Sequence, residues 1–288
     1  MRKILFPLAF LAMLTLGVAP GCRQAAPPAL TQVVAVPATS LPGDPLDPAW
    51  SAAPEYVAVL VPQDIVEPRQ MRASTPEVRV RAMSDGKELA FRLAWMDHTP
   101  NDLPQVAGFC DACAIQVPAM PGPTVPAPQM GEAGKPVQIS YWNAAWQAKV
   151  DGRGDTIRDL YPRAAIDHYP FQAPSLEKGS PAQREMAARY APARALGNPA
   201  AGPRQSPVED LLAEGPGSLA PAPAGFSRGR GRRTVDGWAV VITRSLPAGA
   251  ANPPGGQVAF AVWDGSQEEV GSRKMRTAWI PLVVQGRQ

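Results

Sequence analysis

Two methionines in the chain have side chains and surroundings suited to metal chemistry. Met120 and Met130 lie in a proline-rich loop, residues 118–136. A methionine in a loop gains less from packing than one in a core, so its thioether can serve as a ligand to a soft metal or a haem iron. The alternative is that both side chains only fill gaps.

A lysine near the C-terminus is a second candidate ligand. Lys274 lies in the run GSRKMR (271–276), which leads into an apolar segment. Strand alternation would place its side chain on one face with Ala278, Ile280 and Leu282. A lysine that points toward an apolar face has a lowered pKa and can present a neutral amine to a metal. The alternative is that its ammonium reaches solvent.

Cys110 and Cys113 form a C-x-x-C motif. Ala114 follows in place of histidine, so the motif lacks the signature for covalent attachment of a c-type haem. A zinc site would need a second pair of ligands. A local disulfide is therefore expected in an oxidising compartment, and it requires a turn because residues three apart on a straight strand face opposite ways. Two unpaired thiols are the alternative.

A glycine-interrupted basic segment contains Arg228, Arg230, Arg232 and Arg233. Guanidinium groups at this spacing can clamp carboxylates, such as haem propionates, or an acidic partner surface. A solvated turn is the alternative.

The composition excludes several classes of protein. The 288 residues include 35 Pro and 25 Gly, a density of helix breakers that rules out a bundle of long helices. The net charge of +3 is too mild for a nucleic-acid-binding protein. No phosphate loop or hydrolase motif is present, and the two histidines, His98 and His168, are expected on the surface or in turns.

The first 22 residues resemble a secretory signal of the lipoprotein type. Arg2 and Lys3 precede an apolar run that is too short to span a bilayer. Cleavage before Cys22 and acylation of its thiol would anchor an exported, periplasmic protein by its lipid. Residues 23–45 are predicted to be a flexible tether, and residues 46–288 the folded domain.

Short segments of alternating apolar residues predict an all-β fold, an antiparallel β-sandwich. They lie at about 57–61, 78–80, 89–95, 137–141, 238–242 and 258–263, the last apolar on both faces. Residues 151–227 are predicted to form an insertion of loop and short helices. Within it, helices are expected at 182–190 and, from a capping-box pattern, at 206–215.

Eight collinear blocks resemble the haem-binding domain related to ethylbenzene dehydrogenase. These are DGKELAFRLAW (85–95), FCDACAIQVP (109–118), QMGE (129–132), GKPVQI (134–139), WNA (142–144), PVEDL (207–211), VAFAVWDG (258–265) and GSRK (271–274). The resemblance extends over about residues 50–285.

The resemblance implies the gamma subunit of a molybdoenzyme related to dimethyl-sulfoxide reductase. Such a subunit is a β-sandwich that holds one haem b between methionine and lysine ligands. It transfers electrons and performs no substrate chemistry. By motif, Lys274 would be one ligand and Met130 the other, with Met120 as the alternate. The implied partners are a molybdopterin catalytic subunit, an iron–sulfur subunit and a soluble carrier such as a c-type cytochrome.

Two further functions remain open from the sequence. The β-sandwich is also similar to carbohydrate-binding modules, in which exposed tryptophan faces stack on sugars. A flat exposed set drawn from Trp142, Trp146 and Trp238 would favour this function. The third possibility is a structural surface lipoprotein that binds neither haem nor glycan.

Overall fold

The computed structural model describes residues 30–104, 107–120, 122, 124–154, 157–163, 177, 179–196, 204–223, 225–247 and 256–286. The signal segment, Cys22 and His168 lie outside these ranges. Among the residues described, no helix is both long enough and apolar enough to cross a membrane.

The chain contains fourteen strands and a few short helices in the described part. The strands are β1 (Val33–Pro37), β2 (Tyr56–Val59), β3 (Val61–Pro62), β4 (Glu77–Ser84), β5 (Glu88–Met96), β6 (Ala112–Pro118), β7 (Val137–Asn143), β8 (Val208–Ala213), β9 (Ala220–Pro221), β10 (Ser227–Arg233), β11 (Gly237–Ser245), β12 (Gly256–Trp263), β13 (Met275–Arg276) and β14 (Ile280–Val284). The α-helices are α1 (Ala144–Val150), α2 (Ile157–Leu160), α3 (Pro181–Tyr190) and α4 (Pro192–Ala195). Two 3₁₀ turns are Pro48–Ala52 and Gly265–Gln267.

The predicted all-β sandwich is confirmed. The strand order is β10-β11-β5-β4-β1-β14-β12-β6-β7-β8-β9, and the two halves of this path pack face to face. Strand β12 belongs to both halves, because its first residues pair with β14 and its later residues with β6. The pairing is antiparallel except at β1, which runs parallel to both β4 and β14.

Alternate residues of the two halves interlock in one core. The Phe91 and Phe260 rings meet edge to face at 6.2 Å, and Trp142 contacts both Trp95 and Trp238 at 6.3 and 5.1 Å. Each large side chain buried in this way stabilises the fold by about 1.5–3 kcal/mol. The core therefore fixes which face of each strand points outward.

A buried carboxylate ties three parts of the chain together. Asp111 is fully buried and accepts hydrogen bonds from the backbone N–H groups of Asn101 and Gly265, at 2.8 and 2.9 Å. It also accepts one from Trp238 Nε1 at 2.9 Å. Burial raises the pKa of Asp111 to about 7, with a smaller contribution from the neighbouring Asp97 charge.

The helix predicted at 206–215 is wrong, because Val208–Ala213 forms strand β8 against β7. Pairing with β7 outweighs the local capping pattern. Ser206 Oγ does accept from Val208 N–H, but the chain then continues extended. The helix predicted at 182–190 is confirmed as α3, with Ser180 Oγ accepting from Gln183 N–H at its start.

Part of the predicted tether belongs to the sheet. Val33–Pro37 forms β1, in which Val33 and Ala35 are buried and the neighbouring strands bind on both sides. Val33–Pro37 contains no charged residue, as a strand in the middle of a sheet requires.

Candidate functional site

The main candidate site is a cavity of about 390 Å³ on the outer face of strands β6, β7, β8 and β12. Its volume falls in the range of sites for small molecules and cofactors. The residues on its wall that matter below are Ala114, Gln116, Met130, Ile139, Tyr141, Leu211, Ala259, Ala261, Trp263, Lys274 and Arg276.

Small side chains create this concavity. Ala114 of β6 and Ala259 and Ala261 of β12 point outward, while Phe260 points into the core. Residues 258–263 are apolar on both faces because one face closes the sandwich core and the other forms the cavity floor. The floor is therefore an apolar surface held by a rigid sheet.

Lys274 lies on this cavity, immediately before β13. Met275 is buried in the core and pairs with Val262, so its neighbours Lys274 and Arg276 face the other way, into the cavity. The predicted shared face with Ile280 is wrong. The chain leaves regular strand pairing between β13 and β14, which breaks the alternation, and Ile280 packs in the core.

The surroundings of Lys274 favour its neutral form. The pKa of Lys274 is lowered to about 8, chiefly by burial and to a smaller extent by the neighbouring Arg276 charge. Its Nζ lies 5.1 Å from the centroid of the Trp263 ring. In the described part of the chain, no carboxylate forms an ion pair with this amine.

Met130 lies on the same cavity, in a turn with unusual backbone geometry. Its φ of 69° is left-handed, and Gly131 follows at 80°. Gly215 N–H donates to the Met130 carbonyl at 2.8 Å, and Gly131 N–H to the Ala127 carbonyl at 2.9 Å. A left-handed non-glycine residue persists only where its surroundings hold it, so these bonds fix the Met130 backbone at the edge of the cavity.

The alternate methionine is elsewhere. Met120 is 57% exposed and does not line the cavity. The predicted propionate clamp is not realised at this cavity either: Arg228 forms an ion pair with Glu88 at 2.5 Å, and Arg230 faces a separate cleft beside α1. Both lie on β10, in the other half of the sandwich.

The other two arginines of the basic segment are already paired. Arg232 contacts Asp44 at 2.8 Å, and Arg233 lies 3.8 Å from Asp97. The charge of this segment is therefore largely neutralised within the chain.

The expected disulfide is absent from the structure, where Cys110 and Cys113 are free thiols. The chain enters β6 extended, without the turn that a bridge over three residues requires. Cys113 points into the core, and burial raises its pKa; burial also raises the pKa of Cys110 to about 11. His98, as predicted, is exposed.

The tryptophans do not form a flat exposed platform. Trp142 and Trp238 are buried in the core, 0% and 6% exposed. Trp146 contacts Tyr141 edge to face at 5.3 Å and is covered by the Arg204 guanidinium at 3.5 Å. These three tryptophans therefore do not form the flat exposed set that would favour a carbohydrate-binding module.

Sequence reasoning missed Trp263 and Arg276 as residues of the site. The alternation within 258–263 already implied that Trp263 shares a face with Ala259 and Ala261. Arg276 could have been found once Met275 was recognised as a core residue, because its two neighbours must then share the opposite face.

Comparison with known proteins shows the class of protein. The model of the ethylbenzene dehydrogenase family matches residues 47–193, and the chain belongs to this family. A protein of Haloferax mediterranei named as a respiratory nitrate reductase heme subunit is 24% identical over 276 residues, 93% of this chain and 78% of that protein. The chlorate reductase subunit gamma of Ideonella dechloratans is 26% identical over 218 residues, 73% of this chain and 66% of that subunit.

Two solved structures match most of the chain at low sequence identity. A carbohydrate-binding module of family 9 from Caldicellulosiruptor kristjanssonii, solved with cellotriose, covers 89% of this chain and 94% of its own at 8% identity and a TM-score of 0.43. The same module solved with glucose gives a TM-score of 0.40 at 9% identity.

Proposed function

We propose that this protein is a b-type cytochrome subunit that passes electrons to or from a molybdopterin oxidoreductase, through one haem ligated by Met130 and Lys274. The observation that carries the proposal is that both side chains line the same apolar cavity. The names of the two relatives, a heme subunit and a gamma subunit of anion reductases, support the same function.

The residues of the cavity fit a haem. A haem held by two protein ligands would occupy an apolar slot with a donor side chain for the iron from each of two residues, and a cation nearby would pair with its carboxylates. The floor supplies the slot, Met130 the thioether and Lys274 an amine with lowered pKa. Arg276 has no hydrogen bond or ion pair to any described residue, and its buried Nε lacks an acceptor.

The chain's own residues have distinct tasks in this function. When bound, haem supplies a one-electron couple, whose potential a thioether ligand raises. The left-handed turn at Met130 keeps this residue on the cavity wall, and the apolar floor excludes water. Lys274 would hold the iron through its unprotonated Nζ, and burial makes loss of that proton easier than in an exposed lysine.

Electronic absorption of the haem-loaded protein tests the ligand assignment. The full chain should bind haem with a six-coordinate, low-spin spectrum. Met130→Leu and Lys274→Ala should each give a high-spin spectrum or lose the haem, because each removes one iron ligand and supplies no new donor atom. Met120→Leu is the matched control, since Met120 is exposed and outside the cavity. Wild-type protein that stays haem-free with ample haem, or unchanged spectra in both variants, would overturn the proposal.

The proposed partners and location follow from the same function. We infer that the subunit assembles with a molybdopterin catalytic subunit and an iron–sulfur subunit, and exchanges electrons with a soluble c-type cytochrome. We also infer that it is exported and anchored in the periplasm through acylated Cys22. Metabolic labelling with a fatty acid, compared between wild type and Cys22→Ser, tests the anchor: label in wild type alone supports it, and equal label in both contradicts it.

A further inference from the structure

The cavity contains a guanidinium that the described part of the chain leaves unneutralised. Arg276 pairs with Ala261 across β13 and β12, and Ala261 belongs to the cavity floor. Arg276 is half-buried, yet it forms no hydrogen bond or ion pair to a described residue. Glu67, a carboxylate on the cavity wall, is already paired with Arg69 at 2.8 Å.

An unpaired guanidinium next to an apolar floor is costly unless an anion joins it. Burial removes water from the charge, and the loss is recovered only by a charged hydrogen-bond partner. A planar guanidinium matches a carboxylate in a two-point contact. The cavity is therefore complementary to a ligand with an apolar body and a carboxylate at its edge.

We propose that Arg276 binds a propionate carboxylate of the haem and thereby sets which edge of the macrocycle lies beside Lys274. This inference rests on the proposed function. Arg276 is two residues from Lys274 and faces the same cavity, so a carboxylate held there orients the ring relative to the amine. It takes the role that the sequence suggested for Arg228 and Arg230, which lie away from the cavity.

Comparing haem with haem dimethyl ester isolates this contact, because the ester lacks both carboxylate charges. Soret titrations of the full chain give the dissociation constant of each. Wild type should bind haem about 10- to 100-fold more tightly than the ester, the value of a charge-assisted contact. Arg276→Gln should bind both about equally. Arg273→Gln is the control, because its guanidinium lies against Phe109 at 5.7 Å and does not line the cavity.

The outcomes separate this inference from the proposed function. Equal affinity of wild type for haem and ester, or full preference for haem in Arg276→Gln, would overturn the role of Arg276 while haem binding stands. Failure of wild type to bind either compound would remove the proposed function itself. If Arg276→Gln does not fold, Arg276→Lys replaces it, because it keeps the charge but loses the two-point contact. A weaker preference for haem over its dimethyl ester in this variant supports the inference, and an undiminished preference contradicts it.

Discussion

The buried Asp111 carboxyl should make the folded protein lose stability as the pH rises. Its pKa is raised from 3.8 to about 7, chiefly by burial, so the folded protein binds this proton more tightly than the unfolded chain does. Its contribution to stability is therefore fully present below pH 3.8 and is lost as the pH rises through about 7. A shift of about three units corresponds to about 4 kcal/mol over the whole range, of which about 2.7 kcal/mol remains at pH 5 and almost none at pH 8.

Urea unfolding of wild type and Asp111→Asn at pH 5 and pH 8 measures this contribution. The variant should be less stable at both values, because an amide offers one acceptor where the carboxylate accepts three N–H donors. The wild-type free energy of unfolding should fall by about 2.7 kcal/mol more than that of the variant. Titrating groups that do not interact with Asp111 cancel in this difference.

The control is Asp85→Asn, at an exposed turn. Backbone hydrogen bonds from Glu88 and Lys87 lower the pKa of Asp85, so it titrates in the acid range and should leave the slope between pH 5 and 8 unchanged. The same pH slope in wild type and Asp111→Asn would refute the reasoning, since Asp111 would then titrate as an ordinary carboxyl.

Three substitutions test the packing of the site and the core. Gly131→Ala should lower the free energy of unfolding in urea by about 1–3 kcal/mol and weaken haem binding. The reason is that its Cβ would lie 2.8 Å from the Lys135 carbonyl, at a left-handed φ. Gly134→Ala is the control, because open space surrounds Gly134, and equal effects in both variants would contradict this. Ala261→Leu should block haem in Soret titrations with little change in melting temperature, since it fills the cavity from its floor; undiminished haem affinity would contradict it. Gly231→Ala should lower stability by about 1–3 kcal/mol, because its Cβ would overlap the buried Trp142 ring. An unchanged urea midpoint would argue against that contact.

Alternation along the sequence predicted most strands because one face of each is buried in a single core. The segments at 89–95 and 238–242 became the paired strands β5 and β11 in this way. The same logic failed for Lys274, because alternation carries across a segment only while the backbone stays regular. The break between β13 and β14 depends on where β12 and β14 pair, and local sequence does not encode that pairing.

The site itself was only partly predictable. Sequence blocks indicated Met130 and Lys274, but their approach to one cavity depends on long-range pairing of β12 with β6 and β13. Arg228 and Arg230 were natural candidates for binding carboxylates by residue type alone. Their location on β10, across the sandwich, is set by pairing with β11, which local charge density cannot reveal.

The position of β1 has a consequence for how the chain folds. Val33 pairs with Leu282, so the earliest strand of the described chain is held by the latest one. A sheet closed by such distant partners cannot be completed while the polypeptide is still being synthesised. Pairing of β1 must wait until the last strand has left the ribosome, so the two ends of the described chain reach their native positions together.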